Sequence, residues 1–322
     1  MPLYVDDSND TADSISKVKC SAVSTRTKAL IVSAESTPIV PMTEKTMLTC
    51  LQGETAILCL RKSSTLETDS GCYFVGSIEA TTCIIALCRA KSMDRNGEYV
   101  AAALASHIGA VRNISEFRKH VQRLIDLITD AGSSREQAIE LSLFGAFDPS
   151  SHDSSVGLVE ALIESVSNLH IKLIIASVWD INTKIDESRG DNESRGVLIP
   201  RTTAAAVDVR SGELKVGAET RNLYAGSIPF EVQRRARSTW SNSPLFLLPT
   251  FYCCTDCNAS LDAALSVPVK FSVDVYKVQC LLSMRDEDLL ESISTSPDAE
   301  EPSFILTQRK VMEYVVDKLM GR

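Results

Sequence analysis

Two almost wholly apolar segments with a short polar link between them constrain this chain more than any other feature of its sequence. The first segment covers residues 83–88 and the second covers residues 99–105, and Asp94-Arg95-Asn96-Gly97 lies between them. Apolar runs of this length are typical of buried strands, and Asn-Gly is a preferred pair at the tip of a β-hairpin. The pattern therefore predicts a buried β-hairpin.

Apolar residues recur at three- and four-residue steps in two later segments. Residues 117–128 and 156–166 have this spacing, which predicts two amphipathic helices, the first of them capped by Ser115. The apolar runs 139–147 and 171–178 follow these helices and predict strands, so that strands and helices alternate. Elsewhere the sequence predicts strands at 29–32, 56–60, 72–75 and 269–278, an exposed loop at 182–196, a hairpin of 204–209 with 213–217, and helices at 229–236, 285–293 and 307–319.

Composition restricts the classes of protein to which the chain can belong. The 322 residues are 44% hydrophobic and 23% charged, which is enough apolar material for a buried core. The net charge is −9 and no segment is rich in Lys and Arg, so we expect no nucleic acid partner. The sequence has no signal-like start and no apolar run of ~18 residues, so we also expect no export and no membrane association. The ten cysteines then predict reduced thiols in a cytoplasmic protein, with nuclear localisation left open.

One thiol and one imidazole lie at the open end of the predicted hairpin. If the turn is centred near Arg95, Cys83 stands opposite His107. A register shifted by two residues keeps the two side chains on one face, whereas a shift by one separates them. A thiol has a pKa of ~8.5 and is mostly protonated at neutral pH, so a cysteine nucleophile needs a base such as this imidazole. The alternative is a buried core cysteine and an unrelated histidine at the end of a strand.

Two separated motifs make the sequence recognisable. Gly76-Ser77-Ile78-Glu79-Ala80-Thr81-Thr82-Cys83 and Ser294-Thr295-Ser296-Pro297-Asp298-Ala299-Glu300-Glu301-Pro302 resemble motifs of the protein N-terminal asparagine amidohydrolase family. The residues 1–5, the hairpin and the residues 143–148 are also similar, in the same order. The resemblance implies an α+β fold, an α/β/β sandwich of mixed sheets flanked by helices, similar to Cys-His deamidases. We expect a polar N-terminal arm at 1–26 and a single amidohydrolase domain at 27–322.

The resemblance also implies roles for particular residues. Cys83 matches the nucleophile and His107 matches the histidine on the returning strand, and backbone N–H groups near Thr82 would face the developing oxyanion. An enzyme restricted to N-termini must bind an α-ammonium, for which Glu79 and Glu300 are the candidate carboxylates. The expected substrate-binding residues are Ser77, Glu79, Thr81, Glu300 and Pro2. Each of them also has an ordinary structural explanation, such as an exposed acid, a β-branched strand residue or a solvated terminus.

The implied reaction converts the side-chain amide of a protein's N-terminal asparagine to aspartate and releases ammonia. The expected partners are proteins or peptides with N-terminal Asn, and the product would feed N-end-rule degradation. No metal or redox cofactor is expected, and we expect a monomer.

Three alternatives stay open on the sequence alone. Ile78 stands where the family usually has an acidic residue after Gly-Ser, and Gly109 stands where an Asp usually follows the histidine, which suits a homologue that binds peptide N-termini without turnover. The same two catalytic side chains would also serve an amidase for other carboxamides. Finally, the C-x-x-C pair of Cys254 and Cys257, with Cys280 beyond it, could begin a zinc site, although clustered free thiols are favoured.

Overall fold

The computed structural model describes most of the chain outside several loops and much of the N-terminal region. The residues described are 4–5, 10–11, 46–61, 73–93, 99–130, 139–147, 155–169, 171–178, 183–186, 197–200, 202–217, 228, 230–241, 246–247, 265, 268–294, 296–301 and 303–322. The expectations for Pro2, for a strand at 29–32 and for the C-x-x-C pair fall outside these residues.

Fourteen strands form three sheets within the described residues. The large sheet contains, in spatial order, β14 (Phe246–Leu247), β4 (Thr55–Arg61), β7 (Tyr99–Ile108), β6 (Ile84–Met93), β8 (Ile139–Gly145), β9 (Ile171–Val178), β1 (Tyr4–Val5) and β2 (Asp10–Thr11). The second sheet contains β13 (Leu214–Gly217), β12 (Thr203–Asp208), β5 (Phe74–Ala80) and β3 (Met47–Cys50), and a separate pair is formed by β10 (Thr183–Asp186) and β11 (Val197–Pro200).

The predicted hairpin is confirmed as β6 and β7, and it lies inside the large sheet with both faces buried. On one face, Ile84 and Ala86 pack against helices, including the side chain of Phe117. On the other face, Ile85 packs against the second sheet, including Val207. The layers are therefore helix, sheet and sheet, and the predicted α+β sandwich is confirmed. Each fully buried aliphatic or aromatic side chain in these layers contributes roughly 1.5–3 kcal/mol.

Two helices cover the outer face of the large sheet. The first helix, α1 (Arg112–Asp130), begins three residues before the predicted cap, so the prediction for Ser115 is wrong. The Ser115 hydroxyl instead donates to the carbonyl of Arg112, and Asn113 accepts from the N–H of Ala110 ahead of the helix. The second helix, α2 (Val156–Val166), is confirmed.

Two predicted segments have a different structure from the one expected. Residues 183–186 pair with 197–200 and do not belong to an open loop, and residues 187–196 lie outside the described residues. The predicted strand at 269–278 is wrong, because α4 (Val275–Leu282) begins within it. The Asp274 side chain accepts from the N–H of Tyr276 and caps this helix, while Val278 is buried among other helices. The helix cap and the burial of Val278 therefore outweigh the strand preference that the alternating valines and phenylalanine indicate.

The C-terminal half of the described chain adds a small helical layer with its own core. It contains α3 (Glu231–Trp240), α4, α5 (Asp286–Ile293), a 3₁₀ helix (Pro297–Ala299) and α6 (Phe304–Leu319). The core side chains are Ala236, Val278, Leu289, Val311, Met312 and Val315. The layer matters for function because a cleft separates it from the edge of the two sheets. Among the described helices, none has the length and apolar character needed to cross a membrane.

Two short segments of the predicted arm belong to the large sheet. Tyr4–Val5 pairs in parallel with β9 and antiparallel with Asp10–Thr11. Strand pairing therefore reaches into the segment 1–26, and the boundary at residue 26 stays a prediction.

Candidate active site

Cys83 lies in the bend between β5 and β6, where the chain passes from the second sheet to the large sheet. Its carbonyl oxygen accepts from the N–H of Ala146 at 2.8 Å, and the Thr82 carbonyl accepts from the Ser155 hydroxyl at 2.6 Å. Gly145 has φ +87°, and a Cβ there would lie 2.4 Å from the Cys83 carbonyl oxygen. A glycine is therefore required beside the bend, and the neighbouring segments hold the Cys83 backbone in place.

The register of the hairpin brings Cys83 and His107 to one face, although not as a directly opposed pair. Ile85 faces His107 and Ile84 faces Ile108, so the predicted register is wrong by two residues. Such a shift preserves the face, because side chains alternate with a period of two. The offset extends to the last pair of the hairpin, in which Met93 faces Tyr99.

Gly109, one of the two departures from the family pattern, lies beside the thiol. A Cβ at this position would lie 3.1 Å from Cys83 Sγ and 2.6 Å from Gln52 Nε2. A side chain would therefore crowd the sulfur, and glycine gives it room. The other departure, Ile78, packs in a small core with Met47 and Leu51, where an acidic side chain would be buried away from water.

The imidazole of His107 is held by the hydroxyl of Ser77. Ser77 Oγ lies 2.8 Å from His107 Nδ1 and 2.8 Å from the carbonyl oxygen of Cys50. The carbonyl can only accept, so it takes the single hydroxyl proton, and Ser77 Oγ must accept from an N–H at Nδ1. We infer from this network that Nε2 carries a lone pair. Nε2 has no hydrogen-bond partner among the described residues.

The backbone of His107 is fixed on both sides by the loop between β3 and β4. Its N–H donates to the Glu54 carbonyl at 3.1 Å, and its carbonyl accepts from the N–H of Gly53 at 2.9 Å. His107 is 2% exposed, and burial together with the nearby Arg235 guanidinium lowers the pKa of its imidazole to about 3, against a smaller opposing contribution from the Ile78 backbone. The imidazole is therefore neutral at physiological pH.

The thiol of Cys83 is protonated in the same resting state. Cys83 is 8% exposed, and burial, with a smaller contribution from the Glu300 carboxylate, raises the pKa of this thiol to about 12. The resting site consequently holds a neutral thiol and a neutral imidazole.

A bulge places Glu79 at the site. The pairing of β5 with β12 shifts register where Ile78 and Glu79 both stand opposite Ala204, and Glu79 has φ 60°. Bulges of this kind redirect side chains near active sites. Ile78 is consequently buried in the small core at the border of the cleft, while Glu79 extends its carboxylate along the cleft wall to Arg235.

The cleft has a volume of about 810 Å³ and runs between the sheet edges and the helical layer. A pocket of this size can hold several residues of a peptide. It is lined by six of the predicted site residues, namely Glu79, Thr81, Thr82, Cys83, His107 and Glu300. Ser77 is fully buried behind the imidazole, and Pro2 lies outside the described residues.

Arg235, which sequence reasoning did not single out, is the cation at the centre of the cleft's acidic side chains. Its guanidinium is bonded to Glu79 Oε2, and its Nε donates to Glu231 Oε1 at 2.8 Å. Glu300 has a different partner, because its Oε1 accepts from the Ser294 hydroxyl at 2.6 Å. Burial raises the pKa of Glu300, and the Ser294 hydrogen bond opposes that shift.

Clusters of three or more His, Cys, Asp or Glu side chains that could bind a metal ion are absent from the described residues. Cys280 is an exposed free thiol, and Cys254 and Cys257 fall outside those residues. The zinc alternative therefore stays a hypothesis.

The arrangement defines a class: an α+β protein with a buried thiol and a neutral imidazole at one cleft. The chain belongs to the protein N-terminal asparagine amidohydrolase family, whose sequence model matches residues 38–320. This match confirms the resemblance, and it makes the protein a member of a family of amidohydrolases. A comparison with curated proteins gives no match.

Proposed function

We propose that this protein hydrolyses the side-chain amide of N-terminal asparagine in proteins or peptides, with Cys83 as nucleophile and His107 as base. The observation that supports the proposal most directly is the unpartnered Nε2 of a neutral imidazole on the same face and in the same cleft as the thiol. Family membership supports the substrate class.

The reaction begins with proton transfer from Cys83 Sγ to His107 Nε2 as the sulfur attacks the carboxamide carbon. The tetrahedral intermediate collapses when Nε2–H protonates the amide nitrogen. Ammonia departs, and the acyl group remains bound to Cys83 as a thioester. Water then gives a proton to Nε2 and adds to the thioester carbon. Collapse of this second intermediate returns the sulfur to the thiol form and leaves aspartate at the substrate N-terminus.

Ser77 is a positioning residue in this mechanism. Because its hydroxyl accepts from Nδ1–H, the lone pair stays on Nε2, the nitrogen that must receive the thiol proton. The developing oxyanion needs donors, and the backbone N–H groups of Thr82 and Cys83 are the proposed ones. Thr81 and Thr82 form the bend that positions these groups.

The cellular role that we propose follows from the product. A terminal aspartate would feed N-end-rule degradation, so we propose that the enzyme acts in the cytoplasm, as a monomer, on protein N-termini. The proposed reaction needs no cofactor, since the thiol, the imidazole and water supply every proton and bond.

The proposal is tested by replacing the thiol. Cys83→Ala should abolish ammonia release from an Asn-initiated peptide, because no other group forms the thioester. Cys88→Ala is the matched control, since Cys88 is a buried cysteine of β6, the strand that follows Cys83, and its side chain faces the helices. It should retain activity within about threefold, as expected for a site outside the chemistry.

Peptides that begin with Asn, Gln and acetylated Asn distinguish the remaining functions. Ammonia from the Asn peptide alone supports the proposal. Equal rates with the acetylated peptide would indicate a general amidase, and binding of the Asn peptide without ammonia release would indicate a recognition protein.

A further inference from the structure

Glu79 and Glu300 both line the cleft, but their charges are compensated differently. Glu79 is bonded to Arg235, so a guanidinium neutralises its carboxylate. Glu300 Oε1 accepts from the Ser294 hydroxyl, which is uncharged, and Oε2 has no hydrogen-bond partner among the described residues. Glu300 therefore presents a negative charge and a free oxygen to the cleft.

The charged groups around Glu300 come from three parts of the fold. Glu79 on β5 and Glu301 beside it add negative charge, and Arg235 on α3 adds positive charge. Arg235 is already shared by Glu79 and Glu231, so it does not cancel the charge of a third carboxylate. A monovalent cation is the ligand that this combination would accept.

The same carboxylate acts on the thiol. Glu300 and Cys83 line one cleft, and the negative charge of Glu300 contributes to the raised pKa of the Cys83 thiol. In an N-terminal asparagine, three covalent bonds separate the α-ammonium nitrogen from the carboxamide carbon. A carboxylate that binds this ammonium must consequently lie close to the attacking sulfur.

We infer that Glu300 binds the substrate's α-ammonium and that this pairing, by neutralising the carboxylate, releases the Cys83 thiol for ionisation. The inference rests on the proposed function and extends it. Selectivity for a free N-terminus then has two sources, because an acetylated terminus neither pairs with Glu300 nor activates the sulfur. Glu300 determines specificity, and Glu79 with Arg235 positions the surrounding charges.

The test is the rate at which iodoacetamide alkylates Cys83, assigned by fragment mass spectra because other cysteines also react. Glu300→Gln should raise this rate about tenfold without any ligand, the change expected from one unit of thiol pKa. Glu213→Gln is the control, because it removes an exposed carboxylate that does not line the cleft, and it should leave the rate within about twofold. An unchanged rate in Glu300→Gln would overturn the inference.

The ligand arm compares a Gly-initiated tripeptide with its N-acetylated form. Glycine has no side chain, so the space for the asparagine carboxamide stays open to the reagent. The free-amine peptide should raise the alkylation rate of the unsubstituted protein about tenfold, and the acetylated peptide should not. Equal or slower rates with the free amine would contradict the inference, and this comparison requires no variant.

A second variant guards against a folding defect in Glu300→Gln. Ser294→Ala removes the hydrogen bond to Oε1 but keeps the charge, so the basal alkylation rate should change little while the response to the free amine falls. If the response of Ser294→Ala to the free-amine peptide equals that of the unsubstituted protein, the positioning of Glu300 by Ser294 is contradicted.

Ammonia release from an Asn-initiated peptide separates this inference from the proposed function. Release without an alkylation response refutes the activation by Glu300 and leaves the proposed function standing. An alkylation response without release refutes the proposed function and supports ammonium recognition by Glu300.

Discussion

Arg234 and Arg235 are consecutive residues of α3, and each forms an ion pair with a glutamate distant in sequence. Arg234 pairs with Glu54 at 2.6 Å, and the two side chains are 2% and 0% exposed. Arg235 pairs with Glu79, and these side chains are 12% and 35% exposed. One pair lies beneath the helix in a dry interior, and the other lies in the wall of the cleft.

The surroundings of the two pairs give them different consequences. Glu54 also accepts from the N–H of Leu51, and Arg234 donates to the Thr49 carbonyl, so the buried pair is enclosed by backbone hydrogen bonds. The loop that contains Glu54 also provides the Gly53 N–H and the Glu54 carbonyl, which hold the His107 backbone. The cleft pair, by contrast, is open to a ligand on one side. Of two adjacent residues on one helix, Arg234 thus contributes to the stability of the fold and Arg235 to the charge of the cleft.

The largest effect is expected for the buried pair. Arg234→Leu leaves the Glu54 carboxylate without its cation in a dry interior and should lower the free energy of unfolding by about 3–5 kcal/mol. Urea denaturation measures this change. The double variant with Glu54→Leu should lose less than Arg234→Leu alone, because the unpaired charge is gone. A double variant that loses as much or more would show that the pair itself, and not the stranded charge, provides the stability.

A smaller and different effect is expected for the cleft arginine. Arg235→Gln should cost only about 1 kcal/mol of stability, since Glu79 is partly exposed and screened by water. It should lower kcat/KM for an Asn-initiated peptide roughly tenfold, which corresponds to about 1.4 kcal/mol of transition-state stabilisation.

The pH profile of Arg235→Gln sharpens this prediction. Arg235 lowers the pKa of His107, so its removal raises that pKa. Because the reaction needs the neutral imidazole, the acidic limb of kcat/KM should move to higher pH. A limb that stays in place or moves to lower pH would contradict the placement of Arg235 beside the base.

The smallest effect is expected for the second partner of Arg235. Glu231→Gln weakens an i, i+4 pair that is partly exposed, and it should cost about 0.3–0.5 kcal/mol of stability. The Asn-peptide activity should stay within about twofold, since Glu79 still holds the guanidinium. Thermal unfolding and ammonia release measure both quantities. A loss equal to that of Arg235→Gln would assign the positioning of the arginine to Glu231.

Local sequence patterns predicted the elements that local forces decide. The hairpin strands, the apolar faces of α1 and α2 and the turn at Ser211-Gly212 follow from periodicity and turn chemistry, and the structure contains them. The strand predicted at 269–278 was wrong, because alternation of apolar residues does not exclude a helix that Asp274 caps and the helical layer buries.

Sequence reasoning reached part of the site for a similar reason. Cys83 and His107 were found because a hairpin brings them to one face, and the motif pointed to Glu79 and Glu300. Arg235 was missed because its partner Glu79 is 156 residues away, and nothing local distinguishes it from Arg234. The tautomer of His107 was also hidden, since it depends on Ser77 and on the Cys50 carbonyl from a different strand.

The sequence by itself determined the family, the layered α+β architecture and the two side chains at the end of the hairpin. These depend on residue spacing, which is local, and on motifs that can be read directly. Only the tertiary structure decided which nitrogen of His107 is free, which carboxylate keeps an uncompensated charge and which arginine faces the cleft. These features depend on distances between strands and helices far apart in the chain, because electrostatic interactions depend on separation in space and not on separation in sequence.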